Sequence, residues 1–83
     1  MEKVLVEVFA PTLGKAYDMF IPCGVPMHQV LELIKKAVSD LSAGQFLADE
    51  NTALCYRADG NIININLSAY ELGIHNGSKL MLI

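Results

Sequence analysis

Leu67-Ser68-Ala69-Tyr70-Glu71-Leu72-Gly73-Ile74-His75-Asn76-Gly77-Ser78-Lys79-Leu80-Met81-Leu82-Ile83 is the stretch whose reading decides the fold. Ser68, Gly73, Asn76 and Gly77 punctuate a short turn or helical segment, Leu67 to Ile74, and then a turn through His75 to Ser78. Lys79 to Ile83 reads as a strand with Leu80 and Leu82 facing inward and Lys79, Met81 and Ile83 outward. An apolar run of this kind belongs inside a sheet, with a neighbour on each side. A domain closed by its own central strand has spent that end on folding. The expectation is a protein that docks, with no reactive terminus to offer.

Upstream, Val4-Leu5-Val6-Glu7-Val8-Phe9 alternates, with the valines on the covered side and Lys3, Leu5, Glu7 and Phe9 on the other. Pro11 and Gly14 break the chain within Ala10–Lys15, so Ala16–Ile21 returns as the second arm of a hairpin. There Tyr17, Met19 and Ile21 face inward, and Ala16, Asp18 and Phe20 outward. Pro22 to Pro26 ends that strand, and Pro26 suits a first helical turn, where its missing N–H is not needed. Met27, Val30, Leu31, Ile34, Ala37, Val38 and Leu41 recur at steps of three and four, one stripe of an amphipathic helix. Ser42-Ala43-Gly44 stops it.

Gln45 to Thr52 is a polar connection from which Phe46 and Leu47 are expected to pack back. Ala53–Arg57 reads as a third strand, Leu54 and Tyr56 inward, Cys55 and Arg57 outward. Ala58-Asp59-Gly60-Asn61 is a strong turn signal. Ile62–Ile65 reads as a short edge strand, because its asparagines tolerate water. One helix and four to five strands form an α+β, β-grasp arrangement. The first strand lies parallel to the last, and a single helix covers one face of a mixed sheet. With 83 residues, this is one domain spanning 1–83.

Composition narrows the function. A hydrophobic fraction of 53% against 18% charged residues places the chain among folded domains. The net charge is −3 and the bases Lys3, Lys15, Lys35, Lys36, Arg57 and Lys79 are scattered. A basic face for nucleic acid or anionic lipid is therefore not expected. The opening Met1-Glu2-Lys3 carries no signal-peptide pattern, and no apolar run approaches a membrane span. A cytoplasmic protein is expected, with Cys23 and Cys55 as reduced thiols. A core this thin leaves little surplus stability for a strained catalytic pocket.

No chemistry-bearing constellation emerges. Cys23 and His28 flank the helix start, but no Asp or Asn is evidently placed to orient the imidazole. Cys23, His28, Cys55 and His75 match no zinc spacing. Gly73 and Gly77 precede a strand and not a helix, unlike a phosphate loop. The reading is no enzyme, no metal and no cofactor. The uncovered sheet face offers more. Leu5, Phe20, Cys55, Met81 and Ile83 share it, rimmed by Lys3, Glu7, Arg57 and Lys79, and a bare apolar patch on a monomer usually has a use. These residues are the expected protein-interaction patch. Phe20 near an edge also permits a homodimer by edge pairing.

Thr12-Leu13-Gly14-Lys15 and Leu67-Ser68-Ala69-Tyr70-Glu71-Leu72-Gly73-Ile74 resemble the first hairpin turn and the "leucine, serine, x, tyrosine" segment of ubiquitin-like domains. Gly73-Ile74-His75-Asn76-Gly77-Ser78-Lys79-Leu80 and the approach to the helix, Ile21-Pro22 to Pro26-Met27, are similar to the YukD-like branch. Ser78 stands where that branch commonly has an acidic residue. Ubiquitin and the sulfur carriers end in an extended diglycine tail, and Leu82-Ile83 departs from that pattern. The resemblance implies a non-conjugating ubiquitin-like protein, an accessory component of type VII (ESX-type) secretion in bacteria. Its implied partners are proteins, subunits of the secretion machine among them. The alternative is a ubiquitin-like adaptor unrelated to secretion.

Overall fold

The computed structural model describes residues 2–83; the reading of Met1 falls outside them. Strands β1 (Lys3–Ala10) and β2 (Lys15–Pro22) precede helix α1 (Met27–Leu41). Strand β3 (Leu54–Tyr56), helix α2 (Ala69–Leu72) and strand β4 (Lys79–Leu82) follow. The sheet order is β2-β1-β4-β3. β1 pairs antiparallel with β2 from Lys3↔Pro22 to Ala10↔Lys15. β4 runs parallel to β1 and antiparallel to β3, so the apolar closing strand is central.

α1 covers one face. Val6, Val8, Ile21, Leu54, Leu80 and Leu82 from the strands meet Met27, Val30, Leu31, Ile34 and Val38 from the helix in one core. Pro26 cannot cap α1 with a side chain. The unpaired amides of the first helical turn need other acceptors. Met27 and His28 donate their N–H groups to the carbonyls of Leu67 and Ile65 at 2.8 and 2.9 Å. The segment before α2 is thereby tied to the helix start, and Tyr70 N–H donates back to the Cys23 carbonyl at 3.1 Å.

Two readings of the sequence change. Ile62–Ile65 is not a strand. Ile62 makes one isolated bridge to Cys55, and the chain then leaves the sheet toward α1, because Ile65 and Leu67 serve as its N-terminal acceptors. The helical stripe also ends early. Leu41 is 58% exposed and Leu47 is 85% exposed, while Phe46 alone carries the connection into the core at 6%. The Ser42 hydroxyl accepts the Phe46 N–H at 3.0 Å, which turns the chain so that one of the two neighbouring apolar side chains enters and the other points out.

Candidate interaction face

The pairing register fixes how the uncovered face is laid out. Leu5 stands opposite Phe20, Glu7 opposite Asp18, and Phe9 opposite Ala16. On the other side of β1, Glu7 faces Lys79 and Phe9 faces Met81, and Met81 in turn faces Cys55. Arg57 follows β3 and donates its N–H to the Lys79 carbonyl. The face is therefore built in rows across the strands. Asp18, Glu7, Lys79 and Arg57 form a charged row, acids at the β2 end and bases at the β3 end. At about 4.8 Å per strand spacing it spans roughly 14 Å.

This row divides the expected patch. Leu5 and Phe20 lie on one side of it, and Phe9, Met81 and Ile83 on the other. Arg57 does not rim the face, as its position in sequence suggested. Its guanidinium donates to the Glu7 carboxylate at 2.8 Å and lies 4.2 Å over the centre of the Phe9 ring. A planar cation above an aromatic face, held by a carboxylate, is a favourable arrangement for Arg. It also covers part of the Phe9 ring, which is half-buried.

The five patch residues separate by accessibility. Phe20 is 66% exposed, Ile83 51% and Leu5 38%, and Met81 is half-buried. Cys55 lies on the face by register but is wholly buried, so it is not available to a partner. Its neighbours explain this: Met81 stands on one side and Ile62 bridges on the other. Burial also pushes its thiol pKa up, which keeps it a neutral thiol. Ile62 is 69% exposed and belongs to the accessible surface instead. It was hidden from sequence reasoning because its place beside Cys55 depends on a bridge, not on a strand.

The side chains that could suggest chemistry are dispersed in structural duties. Cys23 is buried below the approach to α1, whereas His28 is exposed on the helix. His75 holds its Nδ1 2.8 Å from the Asn76 carbonyl within its own turn. Asp49 accepts from the Asn51 N–H and the Thr52 hydroxyl. No group of three potential metal ligands exists among the described residues. Ile83, with Thr12, Phe46, Leu47, Asp49 and Thr52, borders an open groove of about 420 Å³ at one end of the sheet. No helix among the described residues is long and apolar enough to cross a membrane.

No family pattern matches the sequence, and no characterised protein matches it at the level of sequence. The likeness lies in three dimensions. The ubiquitin-like domain of the Mycobacterium tuberculosis type VII secretion system protein ECCD1 superposes with a TM-score of 0.80 at 21% identity. That alignment covers 100% of this chain and 99% of that one. The EccD5 ubiquitin-like domain from Mycobacterium xenopi gives 0.73 at 19% identity, covering 100% and 94%. A chain of the ESX-5 inner membrane complex gives 0.73 at 20% identity; all of this chain aligns with 21% of it. A ubiquitin from Caldiarchaeum subterraneum gives 0.69 at 16% identity, covering 99% and 92%. With superposition over the whole length of the chain, a four-stranded mixed sheet and one covering helix, the chain has the ubiquitin-like β-grasp fold.

Proposed function

We propose that this chain is a non-conjugating ubiquitin-like docking module, an accessory of the YukD-like kind to a bacterial type VII secretion machine. The observation that carries the reading is the set of apolar side chains left bare opposite α1: Phe20 and Leu5 on one side of the charged row, Met81, Ile83 and Ile62 on the other. A partner that buries both apolar groups must also answer the row between them, and this combination gives affinity and register together. The protein works by binding, without a catalytic step, a cofactor or a metal. The dispersal of its titratable groups into turns, caps and two ion pairs supports that part of the reading.

The secretion assignment draws on the whole-length likeness to domains of ECCD1 and EccD5, and to a chain described within an inner membrane complex. By this reading the partners are subunits of the same machine, met on its cytoplasmic side. The test is made in the native host. Deleting the gene lowers the export of the machine's substrates into the medium, and the wild-type gene restores it. Phe20→Asp and Met81→Asp proteins, folded and present at wild-type levels, do not restore it. Undiminished export in the deletion strain removes the secretion role. Full restoration by both substituted proteins removes the face.

A further inference from the structure

The parity of the backbone hydrogen bonds exposes a second surface. Leu5 N–H donates to Asn76 Oδ1 at 2.8 Å, and the Leu5 carbonyl accepts from Gly77 N–H at 2.8 Å. Glu7 N–H donates to the Ser78 carbonyl at 3.0 Å. The odd-numbered residues of β1 thus spend their backbone groups on the β4 side. Its even-numbered residues must spend theirs on β2, through the pairs Val4↔Ile21, Val6↔Met19 and Val8↔Tyr17. On β2 the odd-numbered backbone groups are consumed and the even-numbered ones are left over. The N–H and C=O groups of Ala16, Asp18 and Phe20 point away from the sheet, and β2 is the last strand on that side. The free edge stops at Pro22, which has no N–H to give.

Two further features lie along this edge. On the helix side, β2 and α1 leave an open groove of about 330 Å³, bordered by Met19, Phe20, Leu33, Ile34 and Ala37, with Lys3 at one end. Leu33 is 55% exposed above it. On the outer side, Asp18 is set directly opposite Glu7, a like-charge pair that costs stability. Arg57 answers Glu7, and neither ion pair among the described residues involves Asp18. The charged row thus ends at the free edge on an uncompensated carboxylate.

We propose that the β2 edge receives an extended segment of a partner protein as an added strand, carrying Lys or Arg opposite Asp18 and apolar side chains that enter the β2–α1 groove. Strand addition satisfies the backbone groups of Ala16, Asp18 and Phe20 and supplies affinity without sequence demands. The base opposite Asp18 continues the row and supplies selectivity. A second copy of this chain is a poor occupant. Two-fold antiparallel pairing centred on Asp18, the register that uses all three free residues on both strands, sets the two carboxylates face to face. Asp18 thereby guards the edge against self-association while marking it for a basic partner. This surface shares Phe20 and Asp18 with the bare face but uses the backbone edge and the helix-side groove, and its test does not depend on the secretion reading.

The test uses synthetic nine-residue peptides of alternating valine and threonine, centred on arginine or on glutamate, with the full chain. Amide exchange by NMR and fluorescence anisotropy are read together. The expected result is slowed exchange at Ala16, Asp18 and Phe20 with the arginine peptide, and about fivefold weaker binding of the glutamate peptide. Asp18→Lys inverts that preference. An arginine peptide N-methylated on alternate residues fails to protect the three amides, which separates strand addition from charge attraction alone. Equal binding of both peptides to the wild-type protein overturns the role of Asp18. No protection of the three amides by either peptide overturns the docking edge. Their protection on concentrating the protein alone, with dimers in sedimentation, gives the edge to a second copy and overturns the proposal.

Discussion

Single residues hold the fold together where the chain changes direction. Ser68 is the clearest case. Its hydroxyl accepts the Glu71 N–H at 3.1 Å, and its own N–H donates to the Glu71 carboxylate at 3.0 Å, a reciprocal cap on the one-turn helix α2. The Ser68 backbone N–H chiefly, and its hydroxyl next, hold the Glu71 carboxyl below its ordinary pKa, while slight desolvation works the other way. A carboxyl lowered in the folded state contributes stability that is complete above its unfolded pKa, about 4.3. That contribution is lost as the pH falls through the lower folded value. Thermal unfolding followed downward from neutral pH therefore shows an acid-side loss that Glu71→Gln diminishes. Ser68→Ala costs about 1 kcal/mol at neutral pH, read by urea denaturation. α2 also carries the anchor at Tyr70 N–H, so the start of α1 loosens with it.

Among the elements, the turn from His75 to Ser78 does the most for the sheet. Parallel strands cannot be joined by a tight hairpin, so β4 must find β1 by other means. The turn supplies the guide. Asn76 Oδ1 accepts from the Leu5 N–H, Gly77 N–H donates to the Leu5 carbonyl, and the Ser78 carbonyl accepts from the Glu7 N–H, before the first paired residues of β4. Gly77 has φ +89°, a conformation that a side chain would strain. Asn76→Ala strips the Leu5 N–H of its acceptor and costs about 1 kcal/mol in chemical denaturation. Exchange of the Leu5 amide quickens in the same protein. That exchange should rise more than exchange in the β1–β2 pairing, since only the β4 side of β1 loses a bond.

At the scale of the molecule, the helix-covered face and the bare face answer mutation in opposite ways. Leu80 is wholly buried where β4 crosses the core, and Leu80→Ala costs about 2–5 kcal/mol, depending on how far the cavity collapses. Leu33, 55% exposed on the outer flank of α1, costs under about 0.5 kcal/mol when cut to Ala. Denaturant midpoints with unchanged slopes distinguish the two. A domain of this size buries its apolar surface on one side of a single sheet, so the other side is free to carry recognition.

The sequence by itself determined the element order apart from the strand expected at Ile62–Ile65, the inward valines and leucines, the helical stripe through Val38 and the central place of Lys79–Leu82. Period-two and period-3.6 patterns and the turn residues are local signals, and each is imposed by the burial of one face. It also put Leu5, Phe20, Met81 and Ile83 on one side of the sheet, since alternation alone assigns a face. Only the tertiary structure decided how these residues group on that face. The charged row that splits them needs the register of four strands at once, and register is a property of pairs of segments distant in the chain. The burial of Cys55 depends on Ile62 bridging to it, and the fates of Leu41 and Leu47 on where the chain turns at Ser42. Which backbone groups of β2 remain free likewise follows from the bonds β1 makes to the turn at Asn76, beyond the reach of any local pattern.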